Sequence, residues 1–236
     1  APLAVRVAWT RSAVLLELQR GGEAEPEILR AVQLAEQTHQ ERAEAGLRTN
    51  LSVLYWRQGD VPAAVEQVER ARRIFDQLGE LDQVALTETN LAELRARQGL
   101  LDEARALARR AWITNRRLRD RQGTIVAAAT ALMTARVCGD RVLGDEVLRA
   151  VGDGPPSGRT VEAQWADFWL ERGRWHQARG ELGDALVMVT RAEATFGDRA
   201  PAHRRREAAQ LRAELLVAGR EYEAARVLLV EVVRGA

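Results

Sequence analysis

Histidine is the residue type in this 236-residue chain that is best suited to metal binding or acid–base catalysis, and the chain contains three. His39, His176 and His203 lie far apart in the sequence, and none has a second ligand at the short spacing that is typical of a metal site. We therefore expect no metal site, and we interpret the three histidines as exposed or hydrogen-bonded.

The possible nucleophiles also lack a supporting motif. The serines are Ser12, Ser52 and Ser157, and none lies in a G-x-S-x-G sequence of the kind that exposes a hydrolase nucleophile. The single cysteine, Cys138, has no partner for an internal disulfide, and no neighbouring motif stabilises its thiolate. This pattern indicates a reducing, cytoplasmic setting and gives no support for nucleophilic catalysis.

Arginine supplies all 35 basic residues, which nearly balance 34 acidic ones. Without lysine, the chain cannot contain a Walker-type phosphate-binding lysine or a Schiff-base lysine. Arginine-rich runs at 116–121 and 204–206 could contact phosphate or an acidic partner, but nearby glutamates favour a solvated surface between helices. We therefore expect no nucleic-acid binding, no cofactor and no enzyme activity in this chain.

Glycine recurs about every 40 residues, at positions 59, 99, 139, 180 and 219. A small residue follows each glycine by five positions: Ala64, Ala104, Gly144, Ala185 and Ala224. Another follows the first four glycines by twelve: Ala71, Ala111, Val151 and Ala192. The last unit breaks this second rule with Glu231. A fixed period of this length predicts a repeat architecture.

Each repeat has the pattern of a helix, a tight turn and a second helix. Apolar residues lie at helical spacing before Gly59, and Asp60 can cap the helix that follows the turn. No alternating strand pattern competes. We expect an all-α fold of about six antiparallel helical hairpins. The predicted helix pairs are 3–20 with 26–40 (joined through Gly21 and Gly22), 42–58 with 61–78, 82–98 with 101–118, 122–137 with 140–150, 160–179 with 181–197, and 202–218 with 221–234.

The domain organisation follows from where this pattern is clear and where it weakens. We expect a degenerate N-terminal hairpin at 1–41, clear repeats at 42–150, an irregular Gly/Pro-rich loop at 151–159 and further repeats at 160–236. The chain opens directly in a helical pattern at Ala1, so we expect it to be a segment of a longer protein. No run of about 18 apolar residues predicts a membrane span.

The glycine and the two small residues resemble the G-x4-A-x6-A skeleton of the tetratricopeptide repeat (TPR). Trp169 and Gly173 also match the aromatic and small positions of that motif. The 40-residue period and the Asn-Leu pairs at 50–51 and 90–91 resemble the subclass found in Pins/LGN-type adaptors, kinesin light chains and MalT-like bacterial regulators. The resemblance implies a right-handed α-solenoid, or superhelix, whose concave surface is lined by the first helix of each hairpin.

The same resemblance implies which side chains line this concave surface. Trp56 would point into the groove as a binding anchor, whereas Trp165, Trp169 and Trp175 would pack in the core. The expected peptide-binding residues are Thr49, Asn50, Trp56, Arg57, Asn90, Glu93, Arg97, Arg136 and Arg174. Their amide and guanidinium groups could bind a peptide backbone or carboxylates.

Stacked hairpins of this kind imply a protein that binds other polypeptides. We expect a non-catalytic scaffold or sensor segment of a larger bacterial signalling or regulatory protein, with a protein or peptide ligand in the groove. Two alternatives remain open: an effector-sensing domain of a transcription activator, and a regulatory segment of a protease or ATPase whose catalytic domain lies elsewhere. Self-association through the apolar terminal helix is also possible on this pattern.

Overall fold

A computed structural model describes residues 2–17, 21–152, 154, 163–197, 200 and 202–234. These residues form twelve α-helices and no strand, which confirms the all-α fold class. The helices are α1 (Pro2–Glu17), α2 (Gly21–Gln37), α3 (Glu41–Gln58), α4 (Val61–Gln77), α5 (Leu81–Arg97), α6 (Leu101–Leu118), α7 (Arg121–Cys138), α8 (Arg141–Val151), α9 (Ala163–Ala178), α10 (Leu182–Phe196), α11 (Ala202–Ala218) and α12 (Tyr222–Arg234). Consecutive helices pack as six antiparallel hairpins.

The predicted glycines make the tight turns of the hairpins. Gly59, Gly99, Gly139 and Gly180 have φ between 68° and 85°, in the left-handed region where a Cβ atom is unfavourable. The Gly59 N–H donates to the carbonyl of Trp56 at 3.0 Å, and the next N–H donates to the carbonyl of Tyr55 at 2.9 Å. This Schellman pattern pairs carbonyls that the end of a helix would otherwise leave unpaired.

The turns between hairpins use the same geometry, which the sequence showed only in part. His39, Gly79 and Arg119 have φ of 52°, 70° and 56°, and each makes the same two backbone hydrogen bonds. From residue 39 to residue 139 a left-handed residue therefore recurs every 20 positions. The spacing of the glycines alone showed a period of 40 residues, because His39 and Arg119, and not glycines, occupy two of the turns between hairpins.

The last hairpin has a different register from the one expected. Arg220, and not Gly219, takes the left-handed conformation, with φ of 66°. Counting five positions from Arg220 gives Ala225, which is buried, whereas Ala224 is exposed. Position twelve is then Val232 and not Glu231, and the side chains of both lie outside the described residues. The expected break in the repeat at Glu231 therefore came from a one-residue error in register.

The first hairpin also differs from the prediction. Helix α2 begins at Gly21, so Gly21 and Gly22 belong to the helix and not to a loop. Pro26 lies within this helix, at its sixth residue. Proline has no N–H, so at this position it removes the hydrogen bond to the carbonyl of Gly22, and its ring crowds that carbonyl.

The small residues lie at buried contacts between helices. Ala64, Ala104 and Ala185 are fully buried, and so are Ala71 and Ala111. At the equivalent position in α8, Gly144 lies against the ring of Trp175, and a Cβ atom built there would be 2.2 Å from the ring. The short side chains allow the backbones of neighbouring helices to approach closely.

The packing divides the chain into two units of three hairpins each, Ala1–Asp120 and Arg121–Ala236. In unit 1, α2 packs on α3, α4 packs on α5, and α1 contacts α3. In unit 2, α7 packs on α9 and α10 packs on α11. The predicted loop at 151–159 lies mostly outside the described residues, so the division expected there stays a prediction.

Candidate binding surface

In unit 1, the first helices of two neighbouring hairpins bring together two of the predicted binding residues. The guanidinium of Arg97, on α5, lies 5.4 Å from the centre of the Trp56 ring on α3. Trp56 is half-buried and Arg97 is exposed. An arginine stacked on an indole is a cation–π contact that leaves the guanidinium edge open to hydrogen bonding.

Two further predicted residues bind other parts of unit 1. The Asn50 amide donates to the hydroxyl of Ser12 at 2.9 Å, so it connects α3 to α1. Arg57 donates to the carbonyl of Leu16 in α1. Both contacts occupy part of the donor capacity of these side chains, and Arg57 remains exposed.

Thr49 is buried, and its hydroxyl donates to the carbonyl of Ala45 in the same helix at 3.0 Å. The hydroxyl is therefore hydrogen-bonded within its own helix and is not available to a ligand. Asn90 and Glu93, by contrast, are half-buried on α5. The Asn90 amide makes no hydrogen bond with another described residue, so its donor and acceptor are available to a ligand.

The predicted binding residues of unit 2 belong to a chain of ion pairs. Arg136 on α7 lies 3.6 Å from a carboxylate oxygen of Glu171 on α9. Arg174 is paired both with Glu171 and with Glu207 of α11, the latter at 2.7 Å. The two guanidiniums expected to contact a ligand are therefore paired with carboxylates of the protein itself.

This network perturbs the groups that form it. Burial acts to lower the pKa of the Arg174 guanidinium, but Glu171 and Glu207 outweigh it and raise that pKa. Burial likewise acts to raise the pKa of Glu207, and the hydrogen bond and charge of Arg174, with the charge of Arg204, lower it overall. Both shifts favour the charged forms, so the ion pair is favoured over its neutral form.

Asp167 lies at the edge of the network and behaves differently. Burial raises the pKa of its carboxyl, Glu207 and Glu171 add to that effect, and Arg204 opposes it. Its nearest guanidinium nitrogen, on Arg204, is 3.5 Å away, and the Asp167 Oδ1 atom accepts no hydrogen bond. The carboxylate is therefore desolvated without full compensation.

The ion pairs that join different helices could not be predicted from spacing, because an ion pair between helices depends on which faces meet. A local signal was present: Glu171 with Arg174, and Arg204 with Glu207, are three residues apart on helices and therefore adjacent.

One histidine lies in a cluster that sequence spacing did not indicate. His176 Nδ1 is 2.6 Å from Glu181 Oε2, and these two residues with Asp184 could place three ligand atoms within 4.8 Å of one another. Glu181 is the N-cap residue of α10 and Asp184 lies in the first turn of that helix, where the helix dipole stabilises acidic side chains without a metal. Arg179 also binds Glu181 at 2.9 Å. These contacts account for the cluster.

Four of the remaining tryptophans lie in the core, including the three that were expected there. Trp165, Trp169 and Trp175 are all buried, and Trp165 packs edge-to-face on Phe168 at 5.7 Å between ring centres. Trp112 is fully buried. Trp56 and Trp9 are only partly buried, and Trp9 packs against Gly46. Trp56 is therefore the tryptophan whose ring combines partial exposure with a neighbouring exposed guanidinium.

Comparison with solved structures places this arrangement among known folds. The apo form of the quorum sensor NprR from B. thuringiensis superposes with a TM-score of 0.69 at 10% identity, over 98% of this chain and 64% of that one. This chain thus spans less than two thirds of the length of NprR. At this TM-score the two share a fold of stacked helical hairpins, the α-solenoid expected from the sequence. The chain has a TPR-like helical-repeat fold.

Other solved structures match less well. BtubC (BKLC) from P. vanneervenii is 17% identical over 94% of this chain and 76% of that one, with a TM-score of 0.49. A kinesin light chain with nearly identical TPR-like repeats, from Podosopora anserina, is 15% identical over 99% and 95% of the two chains, with a TM-score of 0.46. No protein-family description and no curated protein matches the sequence of this TPR-like chain.

No helix among the described residues is both long enough and apolar enough to cross a membrane.

Proposed function

We propose that this TPR-like chain is a non-catalytic module that binds a polypeptide segment on the first helices of unit 1. The observation that carries the proposal is the Trp56–Arg97 pair beside the Asn90 amide. An aromatic ring, an exposed guanidinium and an unpaired amide are the groups that anchor a peptide side chain and bond to its backbone. Glu93, Asn50 and Arg57 complete the proposed surface.

The state of unit 2 supports placing the ligand in unit 1. Arg136 and Arg174 are paired with Glu171 and Glu207, so a ligand carboxylate would have to displace the carboxylates that the protein already supplies. Such an exchange gains little, because one charge-assisted hydrogen bond is replaced by another. Arg97 stacks on the ring of Trp56, and this ring does not compete with a ligand carboxylate for the hydrogen-bond donors of the guanidinium.

The comparison with NprR supports a sensing role in a larger bacterial regulatory protein in the cytoplasm. NprR is a quorum sensor, and 98% of this chain superposes on part of the NprR structure. A ligand-sensing segment of a regulator is therefore the form of the proposal that we favour. The alternative in which the module regulates a protease or ATPase gains no specific support from the described residues.

Selection of peptides from a random library on the immobilised chain, followed by fluorescence anisotropy with the selected peptide, tests the site. We expect Trp56→Ala and Asn90→Ala each to weaken binding by about tenfold or more, because each removes one anchor. Gln77→Ala removes an exposed amide on the second helix α4 and is the matched control. It should leave the affinity unchanged.

Two outcomes would contradict the proposal. The first is a selected peptide whose affinity is unaffected by Trp56→Ala and Asn90→Ala, while circular dichroism shows that both variants are folded. The second is loss of binding with Arg136→Ala or Arg174→Ala alone, because this result would move the site to unit 2.

A further inference from the structure

We propose that Ser12 is a positioning residue of the binding surface in unit 1. Its hydroxyl holds the NH2 group of the Asn50 amide, so that Asn50 presents its carbonyl oxygen, and not its N–H groups, to the bound polypeptide. The ligand group that Asn50 recognises is then a backbone N–H. This inference rests on the proposed function and names the ligand chemistry at one position of the same surface.

Ser12 lies on α1 and is fully buried, and its hydroxyl makes two contacts. The Oγ atom is 2.7 Å from the carbonyl oxygen of Trp9 and 2.9 Å from the amide of Asn50 on α3. A serine hydroxyl donates one hydrogen bond and can accept others. Both capacities of this buried group are therefore used, and its position between the two helices is fixed.

The single hydroxyl proton decides which way round the Asn50 amide lies. Trp9 offers a carbonyl oxygen to Ser12, so the proton must lie on that contact. Ser12 can then only accept from Asn50, and the group that faces it is the NH2 group. In the reversed amide the oxygen would face the oxygens of Ser12 and Trp9 at 2.9 and 3.5 Å, and one contact of Ser12 would join two acceptors without a proton.

The carbonyl oxygen of the same amide is left for a ligand. It accepts no hydrogen bond from a residue that the structure describes, and the Asn50 side chain is half-buried on the helix that also carries Trp56. Asn90 on α5 differs, because no described residue holds its amide and it can turn either its donor or its acceptor to a ligand. Asn50 therefore sets a fixed requirement, whereas Asn90 adapts to what is bound.

The charges near Asn50 favour a backbone N–H over a basic side chain as the donor. Arg57 lies seven residues further along α3, about two helical turns, and is exposed on the same face. Arg97 is exposed beside Trp56. These guanidiniums would repel a lysine or arginine of the ligand, whereas a peptide N–H carries no net charge. An extended segment supplies such groups, because the N–H groups within a helix are already bonded.

Fluorescence anisotropy with the peptide selected on the immobilised chain tests the positioning role. We expect Ser12→Ala to weaken binding by about fivefold, because Asn50 loses the contact that orients it. Ser52→Ala is the matched control. Ser52 is a buried serine 40 residues later, at the equivalent position of α3, and its hydroxyl makes no hydrogen bond with a described asparagine. This change should leave the affinity unchanged.

A double variant separates positioning from a general role in packing. Asn50→Ala should weaken binding by about tenfold, because it removes the acceptor itself. Adding Ser12→Ala to this variant should have no further effect, since Ser12 acts only through Asn50. An effect that came from loosened packing of α1 on α3 would instead be present in both backgrounds.

Changes in the peptide identify the donor. Among analogues with one backbone N–H methylated at a time, we expect one that binds the native chain about tenfold more weakly but binds Asn50→Ala as the unmodified peptide does. Its loss should be smaller on Ser12→Ala, where the released amide can turn either group to the ligand. Replacing each lysine or arginine of the peptide by norleucine tests the other source of an N–H, and no loss that depends on Asn50 is expected.

Three results would overturn the proposal. They are native affinity in Ser12→Ala, a loss with Ser12→Ala that persists in the Asn50→Ala background, and a donor that belongs to a basic side chain of the peptide. If Trp56→Ala and Asn90→Ala still weaken binding, these results leave the proposed site in place and remove only this inference. If those two variants bind normally, the site and the role of Ser12 both fail.

Circular dichroism shows whether each variant is folded. If Ser12→Ala loses helical signal, Ser12→Cys provides the same comparison, because a thiol is close to a hydroxyl in shape and accepts hydrogen bonds only weakly.

Discussion

Asp167 and Glu207 lie in one ion-pair network, yet their pKa values shift in opposite directions. Burial raises the pKa of Asp167, and its weak contact with Arg204 does not compensate. Glu207 accepts hydrogen bonds from Arg174 at 2.7 Å and from Arg204 at 3.2 Å, which lower its pKa despite burial. An ionised carboxylate thus destabilises the folded state at Asp167 and stabilises it at Glu207.

Replacing Asp167 by asparagine should stabilise the protein at neutral pH. Since its folded pKa is raised, the folded state holds the proton more tightly than the unfolded state, and stability is lost as pH rises towards the folded pKa. Asparagine cannot ionise, so the variant does not lose this stability as pH rises. Thermal unfolding should give a higher Tm for Asp167→Asn at about pH 7 and no difference at about pH 3, where both states are protonated.

Glu207→Gln is the paired change and should have the opposite sign. The folded pKa of Glu207 is lowered, so its contribution is present above the ordinary pKa of glutamate and is lost as pH falls through the folded pKa. The variant should therefore have a lower Tm than the native chain at about pH 7, with the difference shrinking as pH falls below the ordinary pKa of glutamate. Equal signs for the two variants would contradict the account of this network.

At the scale of helices, a glycine facing a tryptophan occurs in both units. Gly46 of α3 lies against Trp9 of α1, and Gly144 of α8 lies against Trp175 of α9. In both cases a Cβ atom would be 2.2 Å from the ring, which is closer than packed atoms can approach. These glycines therefore fix how closely one hairpin packs on the next.

Gly144→Ala should destabilise the protein although alanine favours helix formation. Trp175 is buried and its ring cannot move freely, so overpacking should cost about 1–3 kcal/mol, against a propensity gain of about 1 kcal/mol. Gly183→Ala in α10 is the control, because nothing lies within 4 Å of the added atom. Urea unfolding should show a loss for Gly144→Ala and a gain or no change for Gly183→Ala. A gain for both would mean that α8 and α9 are loosely packed.

Helix positions were well predicted because glycine at a tight turn is a local property of the chain. Predicted helices such as 42–58 and 101–118 differ from α3 and α6 by one residue at most. The errors occurred where the local signal was ambiguous. Gly219 and Arg220 are adjacent, and the non-glycine residue takes the left-handed conformation. Gly21 and Gly22 read as a linker, but they begin a helix.

The candidate site was less predictable because it depends on contacts between helices. The 40-residue register assigned Trp56 and Arg97 to one surface, and the two side chains are in contact because equivalent faces of successive first helices are neighbours. The register could not show that Thr49 is buried, or that Arg136 has a carboxylate partner on α9. Those facts follow from which face of each helix the neighbouring hairpin covers.

At the scale of the whole molecule, each unit has its own core and its own three hairpins. We expect the fragment 1–120 to fold alone, because unit 1 ends with α6 paired to α5 and loses no hairpin partner at residue 120. Urea unfolding followed by circular dichroism should give a cooperative transition.

A second fragment is the control for this prediction. Ending the chain at residue 100 removes α6, the helix that packs on α5 in the third hairpin, so this fragment should unfold at lower urea concentration. Equal stability of the two fragments would mean that α6 adds nothing to unit 1.

The left-handed residue at every twentieth position from His39 to Gly139 has a consequence for how the chain can evolve. A segment of 40 residues taken between any two equivalent turns has matching ends, so recombination that duplicates or deletes it leaves every junction with the same backbone geometry. Insertion of a single codon within a helix, by contrast, rotates the residues beyond it by about 100° and turns buried positions towards water. Changes in length should therefore accumulate in whole hairpins.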